Sequence, residues 1–249
     1  MAHDTKITLS EAKELHARGK RPNLFIKIPG TKEGLPAIEE AIFAGVPVNV
    51  TLLFSPEHYI AAAEAYLRGI ERRIAAGLRT DVGSVASLFI SRWDSAVRGK
   101  VPDSLSDQLG IAVAQRTYKA YRDLLTSPRW QRVYNAGARP QRLLWASTGT
   151  KDPKASDVLY VKALAAPFTV NTMPEATLKA LADHGELSTI MAADGGDCES
   201  VLAQFAKVGV NIETLATQLQ DEGAESFVKS WKELMGVIAS KSDALKEAA

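Results

Sequence analysis

Five short apolar runs rich in β-branched residues recur along the 249-residue chain, each followed by a longer amphipathic stretch. This alternation constrains the fold more than any other feature. The runs lie at residues 23–28, 46–54, 84–91, 141–147 and 167–173, and VPVNVTLLF at 46–54 is the strongest. Runs of this kind, short and bounded by turn residues, read as strands. Helical spacing of apolar residues predicts helices over 9–19, 33–44, 56–77, 105–125, 157–165 and 174–184. Ser55-Pro56 supplies an N-cap and a first-turn proline for the third of these. Three more helical stretches, 201–209, 211–223 and 224–249, follow. Strands alternating with helices argue a parallel βαβ sheet, either open and doubly wound or a (β/α) barrel, in a single domain over 1–249. In both architectures active sites sit at the C-terminal ends of the strands.

Composition works by exclusion. Thirty basic and 29 acidic residues leave a net charge of +1, so no basic field marks the chain for nucleic acid or an anionic membrane. No apolar run approaches the roughly 20 residues of a membrane span. The N-terminal stretch lacks an apolar signal core. One cysteine, Cys198, excludes an intrachain disulfide and a multi-cysteine zinc site. A reducing, cytoplasmic setting is therefore expected. No H-E-x-x-H or cysteine–histidine cluster offers a metal site, and no cofactor is expected. DGGD at 194–197 reads as a loop, because the rest of a calcium loop is missing.

Strands of a parallel sheet are covered on both faces, so polar residues inside them carry information. Here they are Lys27, Asn49, Thr51, Ser87, Ser91 and Ser147. Asn49 and Thr51 share a face, as do Ser87, Phe89 and Ser91. Any one hydroxyl could belong to a structural network, but several strands pointing polar groups the same way suggest a converging pocket. Lys27 stands out, flanked by Leu24, Phe25, Ile26 and Ile28. Either it snorkels from the strand end to water, or it is a dry amine whose lowered pKa makes it a nucleophile toward a ketone. The resulting iminium would act as an electron sink for cleavage of the neighbouring C–C bond. Arg92 reads either as an anion-binding group or as a surface partner of Asp94.

Two long motifs resolve these readings by resemblance. IKIPGTKEGLPAIEEAIFAGVPVNVTLLFS resembles the transaldolase segment in which the Schiff-base lysine strand precedes an N-x-T-L-L-F-S strand. VASLFISRWDS, LWASTGTKDP and TVNTMPEATL resemble the later strands of transaldolases of the actinobacterial and cyanobacterial type. The resemblance implies a (β/α)8 TIM-barrel type of fold and transfer of a dihydroxyacetone unit between sugar phosphates in the pentose phosphate pathway. It implies that Lys27 forms the Schiff base, Asn49 hydrogen-bonds the donor hydroxyls, and Thr51 holds a catalytic water. It further implies that Ser87 binds substrate, Phe89 walls the pocket, and Arg92 and Ser147 take the phosphate. Gly149 stands where the family often has an arginine, and Lys151 is the substitute cation.

One departure matters. The resemblance places the lysine on the fourth strand of a barrel, yet here it lies 27 residues in. The expectation is therefore an incomplete barrel of about five βα units with extra C-terminal helices, without the family's first-strand aspartate and third-strand glutamate. No strand carboxylate replaces them: Asp4 and Glu11 precede the first strand and Glu57 follows another. The alternative function is a sugar-phosphate-binding remnant without the proton relay. An incomplete barrel is expected to be a fragment of a longer enzyme or to self-associate over its open edges.

Overall fold

The computed structural model describes residues 4–187 and 189–247. Asp4 caps helix α1 (Thr5–Gly19) by accepting the amide of Ile7. Strand β1 (Ile26–Pro29), helix α2 (Gly34–Phe43), strand β2 (Val48–Leu53), helix α3 (Pro56–Ala75) and strand β3 (Ser84–Phe89) follow. Helices α4 (Ser91–Val97), α5 (Leu109–Thr126) and α6 (Pro128–Asn135) precede strand β4 (Gln141–Ala146). Then come α7 (Leu159–Ala163), β5 (Val170–Asn171), α8 (Glu175–His184), α9 (Cys198–Lys207) and α10 (Ile212–Glu247).

The five strands form one sheet in chain order β1-β2-β3-β4-β5, and every neighbouring pair is parallel. This is five units of an incomplete TIM-barrel type. One face carries Ile26, Ile28, Val48, Val50, Ala86, Leu88, Leu143 and Trp145. These side chains form one buried cluster with Ile38 and Ile42 of α2, Tyr59, Tyr66 and Ile70 of α3, and Tyr118 and Tyr121 of α5. The helices are thus the outer layer of a partial barrel, held to the sheet by apolar burial. A second buried cluster closes the C-terminal end of the sheet. There Leu52, Phe54, Phe89 and Leu144 meet Trp93 of α4, Leu109 of α5, Phe205 of α9 and Leu219 of α10.

Three elements differ from the sequence expectation. The run at 84–91 stops as a strand at Phe89, and Ser91 already opens α4. The run at 167–173 contributes only Val170–Asn171, on the sheet's far edge. The stretches expected at 211–223 and 224–249 merge into one 36-residue helix, Ile212–Glu247, about 54 Å long at 1.5 Å per residue, with 248–249 outside the described residues. Beyond Ala224 that helix is exposed, with Phe227, Trp231, Leu234 and Ile238 forming an apolar stripe at helical spacing. Among the described residues β1 pairs on one side only, so its outer edge is open. No described helix is long and apolar enough to cross a membrane.

Candidate active site

The register of the parallel strands puts the polar residues side by side. Lys27 lies opposite Asn49, and Pro29 opposite Thr51. Alternation then turns Lys27, Asn49, Thr51, Ser87 and Phe89 toward the inner face, away from the outer helices. Ser87 Oγ donates to Asn49 Oδ1 at 2.7 Å. That bond holds the carboxamide and leaves its NH2 group as a pair of donors. Thr51 Oγ1 is buried and has no hydrogen-bond partner among the described residues. A buried hydroxyl in that condition is suited to a water or a substrate oxygen.

Backbone strain marks the same end of the sheet. Leu52 is fully buried with φ of 59°, and the β2–β3 register shifts between Val50 and Leu53. The bulge lets Leu52 face the mouth cluster immediately after Thr51. Ser147, one residue past β4, has φ of 57°. Two β-region residues forced into the left-handed region at strand ends cost about 1–3 kcal/mol each.

Of the two surroundings the sequence left open for Lys27, the structure shows the exposed one by area. Its strand is the sheet edge, so one flank of the residue faces solvent. A groove of about 500 Å³ runs along that edge. Its floor is Ile26–Pro29 and Thr51, with Thr8, Glu11 and Leu15 of α1 on one wall and Phe227, Trp231 and Lys232 of α10 on the other. The Lys27 amine lies 5.6 Å from the centre of the Phe227 ring. The residue is exposed by area, yet the apolar walls crowd its amine, and desolvation holds its pKa below the usual lysine value.

Arg92 stands at the start of α4 with its guanidinium 5.2 Å above the Phe89 ring, which in turn packs 5.4 Å from Phe54. It does not pair with Asp94, which points inward. The Asp94 carboxylate accepts the amides of Leu109 (2.9 Å) and Gly110 (3.3 Å) and the hydroxyl of Tyr160 (2.8 Å). Gly110 is required there, because an added Cβ would lie 2.7 Å from the Ile90 carbonyl. Burial pushes the Asp94 pKa up to about 6. This buried clamp ties α4, and so Arg92, to the start of α5. Ser147 Oγ and Ser91 Oγ are 2.9 Å apart, and the Ser91 amide donates to the Ser147 carbonyl at 3.0 Å. Lys151 sits exposed in the following loop, where its carbonyl accepts from Arg98 at 3.3 Å. Phe89, Arg92 and Ser147 thus stand at the C-terminal end of the sheet, whereas Lys27 and Asn49 lie one residue into β1 and β2. Of the predicted site residues only Lys27 and Thr51 line the groove.

Three neighbours of the site lie outside the sequence expectation. Glu11, set aside because it precedes the first strand, brings a carboxylate to the Lys27 groove from α1. Gln220 donates to the carbonyls of Leu52 (2.8 Å) and Gly30 (3.3 Å), joining α10 to the ends of β1 and β2. Phe227 reaches Lys27 from 200 residues away in the chain. Nothing local in the sequence signals the last two.

Comparison with known proteins points the same way. The family model described as transaldolase/fructose-6-phosphate aldolase matches residues 1–238. The chain is 45% identical over 247 residues to a transaldolase of Parafrankia sp. (strain EAN1pec), covering 96% of this chain and 67% of that one. It is 45% identical over 250 residues to a transaldolase of Thermobifida fusca, covering 97% and 68%. A transaldolase 2 of Nostoc punctiforme is 41% identical over 261 residues, covering 97% and 68%. The chain therefore spans about two thirds of the length of these relatives. A match over nearly the whole chain, together with a lysine-centred mouth on a partial parallel barrel, places this chain in the transaldolase/fructose-6-phosphate aldolase family.

Proposed function

We propose that the chain is a transaldolase that moves a dihydroxyacetone unit from sedoheptulose 7-phosphate to glyceraldehyde 3-phosphate, giving erythrose 4-phosphate and fructose 6-phosphate. The observation that carries this reading is Lys27 opposite Asn49, on the same sheet face as Thr51 and Ser87. The neutral Lys27 amine attacks the ketose C2 carbonyl, and the carbinolamine loses water to give an iminium. The C3–C4 bond then breaks. Its electron pair moves into the iminium to form an enamine, and the C4 hydroxyl loses its proton as the aldose leaves. The enamine carbon attacks the acceptor aldehyde, and hydrolysis frees Lys27.

Each nearby group has a task that its position suits. The Asn49 amide donates to the three-carbon unit's hydroxyls, and Thr51 holds the water lost and regained. Arg92, fixed over Phe89, takes the phosphate. Glu11 is the carboxylate lining the Lys27 groove and would accept the C4 proton. The relatives' names favour transfer over a merely binding remnant. A sugar phosphate pathway in the cytoplasm is the matching setting.

Transfer is distinguished from simple aldol cleavage by its products. With fructose 6-phosphate and erythrose 4-phosphate, the purified chain should form sedoheptulose 7-phosphate, with product depending on the acceptor. Free dihydroxyacetone released without acceptor would instead mark a simple aldolase.

We also propose that the exposed stripe of α10 beyond the Lys27 groove, at Leu234, Ile238 and Leu245, is covered by a second copy of the chain, since exposed apolar area of this kind favours association.

A further inference from the structure

Helix α10 touches three parts of the site with one face. Gln220 donates to the main chain of β1 and β2 at their ends. One turn on, Gly223 packs so tightly that an added Cβ would lie 2.7 Å from Leu52 Cδ2 and 3.3 Å from Arg92 Nη1. One further turn places Phe227 against the Lys27 amine. Gly223 does not end the helix or occupy a left-handed turn, so close approach is the reason for a glycine in a position that disfavours it.

We propose that α10 is the roof of the site and that Phe227 is a positioning residue for the Lys27 amine, with Gln220 and Gly223 setting the height at which the ring sits. The proposal gains its meaning from the Schiff-base role of Lys27 but can be tested without it. The ring acts in two opposed ways. Its face attracts the ammonium by about 0.5–1 kcal/mol at an exposed site. Its bulk excludes water from the amine, which favours the neutral nucleophile. Burial lowers the Lys27 pKa, the direction in which exclusion of water acts. The charged groups lining the groove are Glu11 from α1 and Lys232 from α10; β1 and β2 contribute none besides Lys27. The cause of the lowered Lys27 pKa is desolvation by burial.

Competitive labelling of lysines by acetic anhydride across pH, read by mass spectrometry on the intact chain, gives the Lys27 titration directly. Phe227→Ala is expected to raise it toward that of the other lysines, while Phe227→Leu, which keeps the apolar cover, should leave it low. Gly223→Ala touches neither Lys27 nor the ring, yet it should raise the titration as Phe227→Ala does, by lifting the roof off the fully buried Leu52. Gly236→Ala on the same helix meets nothing within 4 Å and should change nothing. Helicity by circular dichroism checks that α10 persists in each variant. A Lys27 titration unchanged in both Phe227→Ala and Gly223→Ala, with helicity intact, would overturn the proposal. That result would leave the Schiff-base reading standing, since the labelling needs no sugar.

Discussion

Asp94 shows how a single buried carboxylate can hold a site together while opposing the stability of the fold. It accepts two main-chain amides and a tyrosine hydroxyl, and desolvation still raises its pKa to about 6. The unfolded value is near 3.9. Between about pH 4 and 6 the unfolded chain loses this proton while the folded chain keeps it, so stability falls as pH rises through that window. The full effect is on the order of 3 kcal/mol. Urea unfolding at intervals from pH 4 to 7 should show this decline, and Asp94→Asn should flatten it. Lys27 teaches a complementary lesson. Its position and its role as the odd charge in an apolar strand were legible in the sequence. Its exposure was one of two alternatives left open, because the local sequence does not say which strand lies at a sheet edge. The expected dryness comes partly from Phe227, a residue that strand periodicity could not connect to it.

At the scale of elements, the strands were legible wherever β-branched residues bracketed by turns left one reading. β2 and β4 lie within their expected limits. The errors have physical causes. SLFIS reads as one strand, but the Ser91 main chain turns into α4 so that Arg92 can stand over Phe89. Gly223 reads as a stop, whereas the helix runs through it to pack against Leu52. Ser55 illustrates a local signal that carries over into the structure, since its Oγ accepts the His58 amide at 3.2 Å and caps α3 just beyond β2. Ser55→Ala should cost about 1 kcal/mol by chemical denaturation. Glycine at the same position should cost only a few tenths, which separates the lost cap from a change in packing.

The whole molecule is five parallel βα units with a long helix laid across their mouth. The count of strands, their parallel pairing and the absence of strand carboxylates followed from the alternation and the motif resemblance. What did not follow was the reach of α10, because contacts spanning some 170–200 residues leave no trace in local spacing. The apolar stripe from Leu234 to Leu245, beyond the Lys27 groove, should drive association. Light scattering on the purified chain should give a mass that is a multiple of 26.9 kDa. Replacing Leu234 and Ile238, both half-exposed, with glutamate should return it to the single-chain value without loss of fold. A single-chain mass for the unaltered protein would mean that the stripe stays uncovered.

The central claim is that Lys27 bonds covalently to a ketose carbonyl. Borohydride reduction in the presence of fructose 6-phosphate, followed by peptide mass spectrometry, tests it most directly. The expected result is a ketose-derived mass on the peptide containing Lys27, lost in Lys27→Met. No adduct on the folded chain, or an adduct that persists in Lys27→Met, would contradict it.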